Sequence, residues 1–168
     1  MIFNEIPASP LWVESEEDRV YLRENGFPAA HLADALTYWV DVRECGNLLP
    51  DISAIDPLRI PVSALPWTDL IDVERDPLRF QIRLWGTAVI NAVGHDLKGT
   101  YLDEADMVDG IRRLTAVTEY RIPYFARIPL TWHVEEYRHR SHYCSLGLPF
   151  RDETGAVSRI LCFLDFET

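Results

Sequence analysis

The strongest constraint on the fold is a run of five apolar residues near the end of the chain, at positions 160–164. The run lies in a predicted strand over residues 157–166, which follows a tight hairpin turn ending at Gly155. Successive side chains of a strand point to opposite faces of its sheet. A strand that is apolar on both faces needs cover on both sides, so we expect this strand to be central.

The rest of the chain predicts an α+β fold built on a five-stranded antiparallel sheet. Alternating apolar and polar residues between turn signals mark most of the strands. The five predicted strands cover residues 67–74, 78–85, 127–135, 141–151 and 157–166. A short helix after Gly86 and a longer one that ends near Arg121 separate the second strand from the third. We expect both helices on one face of the sheet.

An N-terminal helix is predicted over residues 28–43, because apolar residues recur there at helical spacing. They are Ala29, Leu32, Ala33, Leu36, Trp39 and Val40. This stripe must be buried, so we expect the helix to cover the second face of the sheet or to recruit a second subunit that does so. The chain then divides into an N-terminal helical extension and connector, residues 1–66, and a core, residues 67–168.

Composition limits the partners and the cellular setting. The formal net charge of −11 argues against binding to nucleic acid or to an anionic membrane surface. No apolar run approaches the roughly 20 residues that span a bilayer, and the acidic N-terminal region is unlike a signal peptide. Three cysteines, Cys45, Cys144 and Cys162, are too few for a disulfide framework. These features predict a cytoplasmic protein with reduced thiols.

Several short segments between residues 36 and 102 occur in an order that is typical of one fold. They are Trp39 with Arg43 and Gly46, Leu49-Pro50, Ile55-Asp56-Pro57, Leu70-Ile71-Asp72-Val73, Arg-Phe-Gln-Ile-Arg-Leu-Trp-Gly-Thr at 79–87 and Gly-His-Asp-Leu-Lys-Gly at 94–99. In this order they resemble a bacterial single-domain PAS family, PAS_5, and the order of strands and helices resembles the PAS fold. The resemblance implies a sensory or docking module and carries no catalytic residues.

The resemblance also implies a mostly apolar pocket between the sheet and the helices. The predicted ligand-binding residues are Phe80, Ile82, Leu84, Leu130, Trp132, Cys144 and Leu146, and they are expected to face Val89, Val93, Ile111 and Leu114. Two interpretations stay open. One is a ligand pocket, and the other is a closed core filled by large side chains such as Trp132.

The cofactor stays unassigned. Flavin-sensing PAS domains carry an Asn-Cys-Arg motif after their first short helices, and the corresponding region here has no cysteine. Haem-binding PAS domains commonly offer a histidine on the long helix, and residues 107–121 contain none. Both absences disfavour flavin and haem.

Two further groups of polar residues are candidate sites. His133, His139 and His142, with two nearby glutamates, have residue types suited to Zn²⁺. The apolar register places His133 outside, so we interpret the segment as a polar hairpin tip and predict no metal site. Asp72 and Arg83 predict a cross-strand ion pair, although Arg83 could instead anchor an acidic ligand.

The function predicted from these features is a cytoplasmic sensory module. It binds a small ligand that is apolar or of mixed polarity. It signals through a protein partner or as a homodimer, in either case through the N-terminal helix. Ligand binding changes how this helix packs on the sheet. One alternative is a ligand-free docking or dimerisation module. Another, less favoured, is a small enzyme that uses a group such as His133 or Asp103; since no acid–base pair falls on the inner face, we predict no enzymatic activity.

Overall fold

The apolar run at 160–164 lies on an interior strand, β6 (Val157–Glu167), between β5 (His142–Arg151) and β2 (Thr68–Glu74). The structure is a computed structural model that describes residues 9–44, 47–132 and 139–167. Every residue of the run is buried, with at most 8% of its surface exposed. The prediction of a central strand covered on both faces is therefore confirmed.

Within the described residues the antiparallel sheet has six strands, one more than predicted, in the order β1-β4-β5-β6-β2-β3. The additional strand is β1 (Leu11–Trp12), which pairs with β4 (Tyr124–Pro129) at one edge. The other edge is β3 (Arg79–Trp85). A strand of two residues is too short to show periodicity, so the alternation rule could not find it.

The α-helices of the described residues are α1 (Glu16–Tyr21), α2 (Ala30–Asp41), α3 (Thr87–Val93) and α4 (Val108–Tyr120). α1 begins with a capping box, in which the Ser15 hydroxyl accepts a hydrogen bond from the Asp18 backbone and the Asp18 carboxylate accepts one from the Ser15 backbone. α3 ends at Gly94, which adopts a left-handed conformation at φ 85°. No helix in these ranges is long and apolar enough to cross a bilayer.

Helix α2 covers one face of β5 and β6, as predicted. The indole nitrogen of Trp39 donates a hydrogen bond of 2.9 Å to the Pro149 carbonyl, and Nε2 of His31 donates one of 2.8 Å to the Leu164 carbonyl. Leu32 and Leu36 are fully buried beneath the helix. These two bonds fix the position of the helix on the sheet, since burial alone is not directional.

The connector between α2 and β2 extends this cover. The Tyr38 hydroxyl donates a hydrogen bond of 2.6 Å to the Ala54 carbonyl, and the backbone of Arg151 donates one of 2.9 Å to the Pro50 carbonyl. The opposite face of the sheet carries α3 and α4, with Val89, Val93 and Leu114 buried. The division of the chain at residue 66 stays a prediction.

Replacing Leu36 by Ala tests whether α2 belongs to the core of the sheet. The change leaves a cavity beneath the helix, so we expect the free energy of unfolding to fall by about 2–5 kcal/mol. Leu58, which is 95% exposed, supplies the matched control. Leu58→Ala should change the free energy of unfolding by less than about 0.5 kcal/mol. Urea unfolding followed by circular dichroism measures both, and equal small losses would show that α2 lies outside the core.

Candidate functional site

A cavity of about 70 Å³ lies between the inner face of the sheet and helices α3 and α4. Val89 and Val93 of α3 form part of its apolar wall, together with Leu114 of α4 and Phe166 of β6. Roughly 10–15 Å³ of such space holds one water molecule. The cavity therefore has room for about five water-sized groups. Its volume is intermediate between the two alternatives from the sequence, an open ligand pocket and a core filled by side chains.

Of the predicted ligand-binding residues, Trp132 lines this cavity. Phe80 and Ile82 are buried on the same side of the sheet, beside the cavity and outside its wall. Leu130 is partly buried against the core and also lies outside the wall. Among the helix residues expected to face the pocket, Ile111 is likewise only partly buried.

The predicted inward position of Leu84 is wrong. Ile71 pairs with Ile82 and Leu70 pairs with Leu84, so the sheet register leaves Arg83 as an extra residue in β3. This bulge reverses the alternation beyond it. Leu84 is consequently 45% exposed on the far face, and Trp85 takes the inward position at the cavity wall.

The predicted inward positions of Cys144 and Leu146 are also wrong. Tyr143 and Ser145 line the cavity, so alternation places Cys144 and Leu146 on the face covered by the N-terminal segment. The Cys144 thiol donates a hydrogen bond of 2.8 Å to Glu167 on that face. Eight consecutive residues of β5 are buried. Because both faces are covered, the apolar pattern does not indicate which one holds the cavity.

The main polar feature of the cavity is Asp69 on β2, next to its cross-strand partner Trp85 on β3. Asp69 is only partly buried as a residue, but its Oδ1 atom is enclosed, as is Nε1 of Trp85. The two side chains interact with each other, but neither atom completes a hydrogen bond of good geometry within the described residues. Burial raises the pKa of Asp69 to about 8, and the nearby indole of Trp85 opposes part of that rise. The carboxyl is therefore mostly protonated at neutral pH.

Helix α4 contributes a buried ion pair to the opposite wall. Arg113 lines the cavity and binds Asp109, one helical turn before it. The two residues are 5% and 3% exposed. Asp109 lies in the first turn of the helix, where a negative charge is favoured by the helix dipole. The pair is neutral as a unit, so it adds polarity without net charge.

A third polar group joins β4, β5 and β6. The Tyr124 hydroxyl lies 2.9 Å from Oγ of Ser145 and 3.9 Å from Sγ of Cys162. Burial raises the pKa of both Tyr124 and Cys162, which keeps the phenol and the thiol neutral. The ring of Tyr124 crosses its partner Gly147 so closely that a Cβ there would lie 2.2 Å from a ring carbon. Glycine at this position is what allows the hydroxyl to reach Ser145.

Sequence reasoning did not identify these polar residues, although signals for two of them were present. Asp69 alternates in step with Ile71 and Val73, so all three are expected on the same face of the strand, and both apolar residues are buried. Arg113 is spaced four residues from Val117, which lies on the buried face of α4. Both signals were overlooked because the residue types are usually found at the surface.

The remaining candidates lie outside the cavity. Arg83 binds Asp72 at 2.8 Å, which confirms the predicted cross-strand pair, and Arg159 binds the same carboxylate at 3.1 Å. Asp103 is at the surface, where a hydrogen bond from Arg79 lowers its pKa. His133 lies outside the described residues. Within them, no group of three candidate ligands could hold a metal ion.

The pH dependence of stability tests the environment of Asp69. In the unfolded chain its carboxyl has the ordinary pKa of 3.8. Between that value and about 8 the folded protein holds a proton that the unfolded chain has lost, so stability falls as the pH rises. We compare the free energy of unfolding of the wild-type protein with that of Asp69→Asn. The wild-type value should fall relative to the variant by about 1.4 kcal/mol per pH unit up to about pH 8, and above that pH the two curves should be parallel. Urea unfolding at several pH values measures this, and parallel curves throughout would refute the assignment.

Comparison with known proteins adds one match. A family model described as PAS domain matches residues 29–165. Nothing among the curated proteins or the solved structures matches the chain. The matched range begins just before α2 and ends within β6, so it contains both covers of the sheet.

Proposed function

The chain belongs to the PAS domain family, and we propose that it is a sensory module whose cavity binds a small ligand. The family implies a sensory or signalling type of module in general. The observation that supports ligand binding is that two enclosed neighbouring atoms, Asp69 Oδ1 and Trp85 Nε1, make no hydrogen bond of good geometry in the described part of the chain. Such atoms reduce the stability of the fold, so a ligand that pairs with them gains free energy on binding.

In this proposal the signal leaves the cavity through β6. The side chain of Leu164 lines the cavity, and its backbone carbonyl accepts the hydrogen bond from His31 of α2. Phe166, also in the cavity wall, has its ring centroid 6.2 Å from that of Trp67, and the Trp67 ring stacks on His31 at 5.4 Å. A ligand that displaces Leu164 or Phe166 thus changes the position of α2. Ligand binding then shifts the equilibrium between alternative packings of α2 on the sheet.

We infer that the output reaches a protein partner or a second copy of the chain through α2 and the connector. The connector exposes Leu48, Leu58 and Val62 by 75%, 95% and 81%. Exposed apolar side chains grouped in one segment are typical of interaction surfaces. The net charge of −11 makes nucleic acid and anionic membranes poor partners.

The proposed setting is the cytoplasm, and the proposed role is non-enzymatic. Cys144 and Cys162 are free thiols, which suits a reducing compartment. Burial keeps Cys162 and Tyr124 neutral, so neither group is prepared to act as a nucleophile or base.

A second candidate function is supported by the small volume of the cavity. Pockets for drug-sized molecules occupy roughly 300–1,000 Å³, and this cavity measures about 70 Å³. A docking or dimerisation module needs no ligand, and α2 would then hold a single packing on the sheet.

Native mass spectrometry of freshly purified protein separates the two candidates. The sensory proposal predicts a small molecule bound to the protein, either retained from purification or taken up again from an extract of the producing cells. It also predicts that Val93→Ile, which adds a methyl group at the cavity wall, reduces the abundance of the bound form severalfold. Val62→Ile makes the same change at an exposed site and should leave retention unchanged. Removing the molecule by dialysis should raise deuterium uptake in residues 30–41, because their contact with β6 loosens.

Two outcomes would contradict the sensory proposal. One is a mass spectrum with the unliganded chain alone, both for the purified protein and for the protein mixed with an excess of the cell extract. The other is a retained molecule that is equally abundant in Val93→Ile, which would place it outside the cavity. The same spectra report the number of subunits, so a dimer without any small molecule would favour the docking module.

A further inference from the structure

The charges around the cavity point to the class of its ligand. Asp69 brings a carboxyl group to the β2 side of the wall, and within the described residues no cation pairs with it. Among the described residues, the arginine at the wall is Arg113, and it is bound to Asp109 in a pair that is neutral as a unit. When Asp69 is ionised, the part of the wall formed by the described residues therefore carries one uncompensated negative charge. A buried carboxylate is stabilised by a cation at hydrogen-bond distance, and an anionic ligand would be repelled by it.

Aromatic rings occupy much of the remaining wall. Trp132, Tyr143 and Phe166 form one cluster with ring centroids 5.8–6.2 Å apart, and all three line the cavity. Trp85 adds a fourth ring beside Asp69. Aromatic rings attract cations through their electron-rich faces and also pack well against short alkyl chains. A carboxyl group surrounded by rings thus suits an organic cation better than an inorganic one.

The volume sets the size of the ligand. A cavity of about 70 Å³ accepts about five water-sized groups. The protein also carries a net charge of −11, which raises the local concentration of cations. We propose that the cavity binds a short-chain alkylammonium ion, whose ammonium group binds Asp69 and whose alkyl chain packs against Trp132 and Phe166. This proposal rests on the proposed sensory function.

Binding of such a cation is linked to the titration of Asp69. Tyr124 and Cys162 face the same cavity, and both stay neutral because burial raises the pKa of each; Arg113 is bound to Asp109. Asp69 is thus the group that must lose its proton when the cation binds. The affinity should rise about tenfold per pH unit below the pKa of the carboxyl, about 8, and level off above it.

Proton–nitrogen NMR of the full chain tests this with probes of matched size: propylammonium, 1-propanol and propionate at constant ionic strength. The indole signal of Trp85, assigned through Trp85→Phe, reports occupancy of the cavity. We expect propylammonium to shift it saturably in the millimolar range, as befits so small a ligand, with the pH dependence given above. Propanol should bind more weakly and without that dependence, and propionate most weakly.

Asp69→Asn supplies the matched variant, since it keeps the volume and removes the charge. It should weaken propylammonium binding at least about tenfold at pH 8, where most of the benefit of the carboxylate is present, and leave propanol binding unchanged. The pH profile of the wild-type protein tests the proposal even if this variant folds poorly. Propanol or propionate binding as well as propylammonium, with no pH dependence, would overturn the alkylammonium assignment and leave the sensory function standing. Failure of all three probes, and of xenon, to shift the Trp85 signal would overturn both.

Discussion

The structure depends on the burial of both faces of β6. Residues 160–164 are apolar and occupy the centre of the sheet, so water must be excluded from two sides of one strand. Helix α2 closes one side and is fixed by bonds from His31 and Trp39 to backbone carbonyls of the sheet. Helices α3 and α4 close the other. Neither cover is optional, because removing one would expose the apolar face of a central strand.

The two faces of the sheet are covered in different ways. The difference corresponds to the two proposed roles, output on the α2 side and ligand binding on the α3–α4 side. The α2 side is closed by packing and two directed hydrogen bonds, which suits a surface that reports a change. The α3–α4 side encloses Asp69, the Arg113–Asp109 pair and the Tyr124 cluster around a cavity. Polar groups in such a place reduce the stability of the fold, and departures of this kind concentrate at functional sites. β6 touches both sides, so one strand joins the proposed ligand site to the proposed output.

Much of the fold follows from local patterns. The central position of β6, the burial of α2 and the Asp72–Arg83 pair were predicted from spacing within one element or one hairpin, and the structure confirms them. The residues of the candidate site were predicted less well than the fold, for reasons that can be identified. A single extra residue, Arg83, reversed the face of Leu84, and no local signal predicts a bulge. Burial of both faces of β5 removed the information that would have placed Cys144 and Leu146. Asp69 shares the parity of Ile71, but burying a carboxyl contradicts the usual preference of that residue type.

Amide hydrogen exchange at residues 160–164 of the native protein tests the two-sided cover most directly. These residues pair with β2 or β5, and most of them with both. If both faces are closed as described, their amides exchange only when the whole domain unfolds. The free energy of exchange should then equal the free energy of unfolding obtained from urea denaturation. Exchange at a free energy several kcal/mol lower would show that one cover opens locally, and would contradict the account.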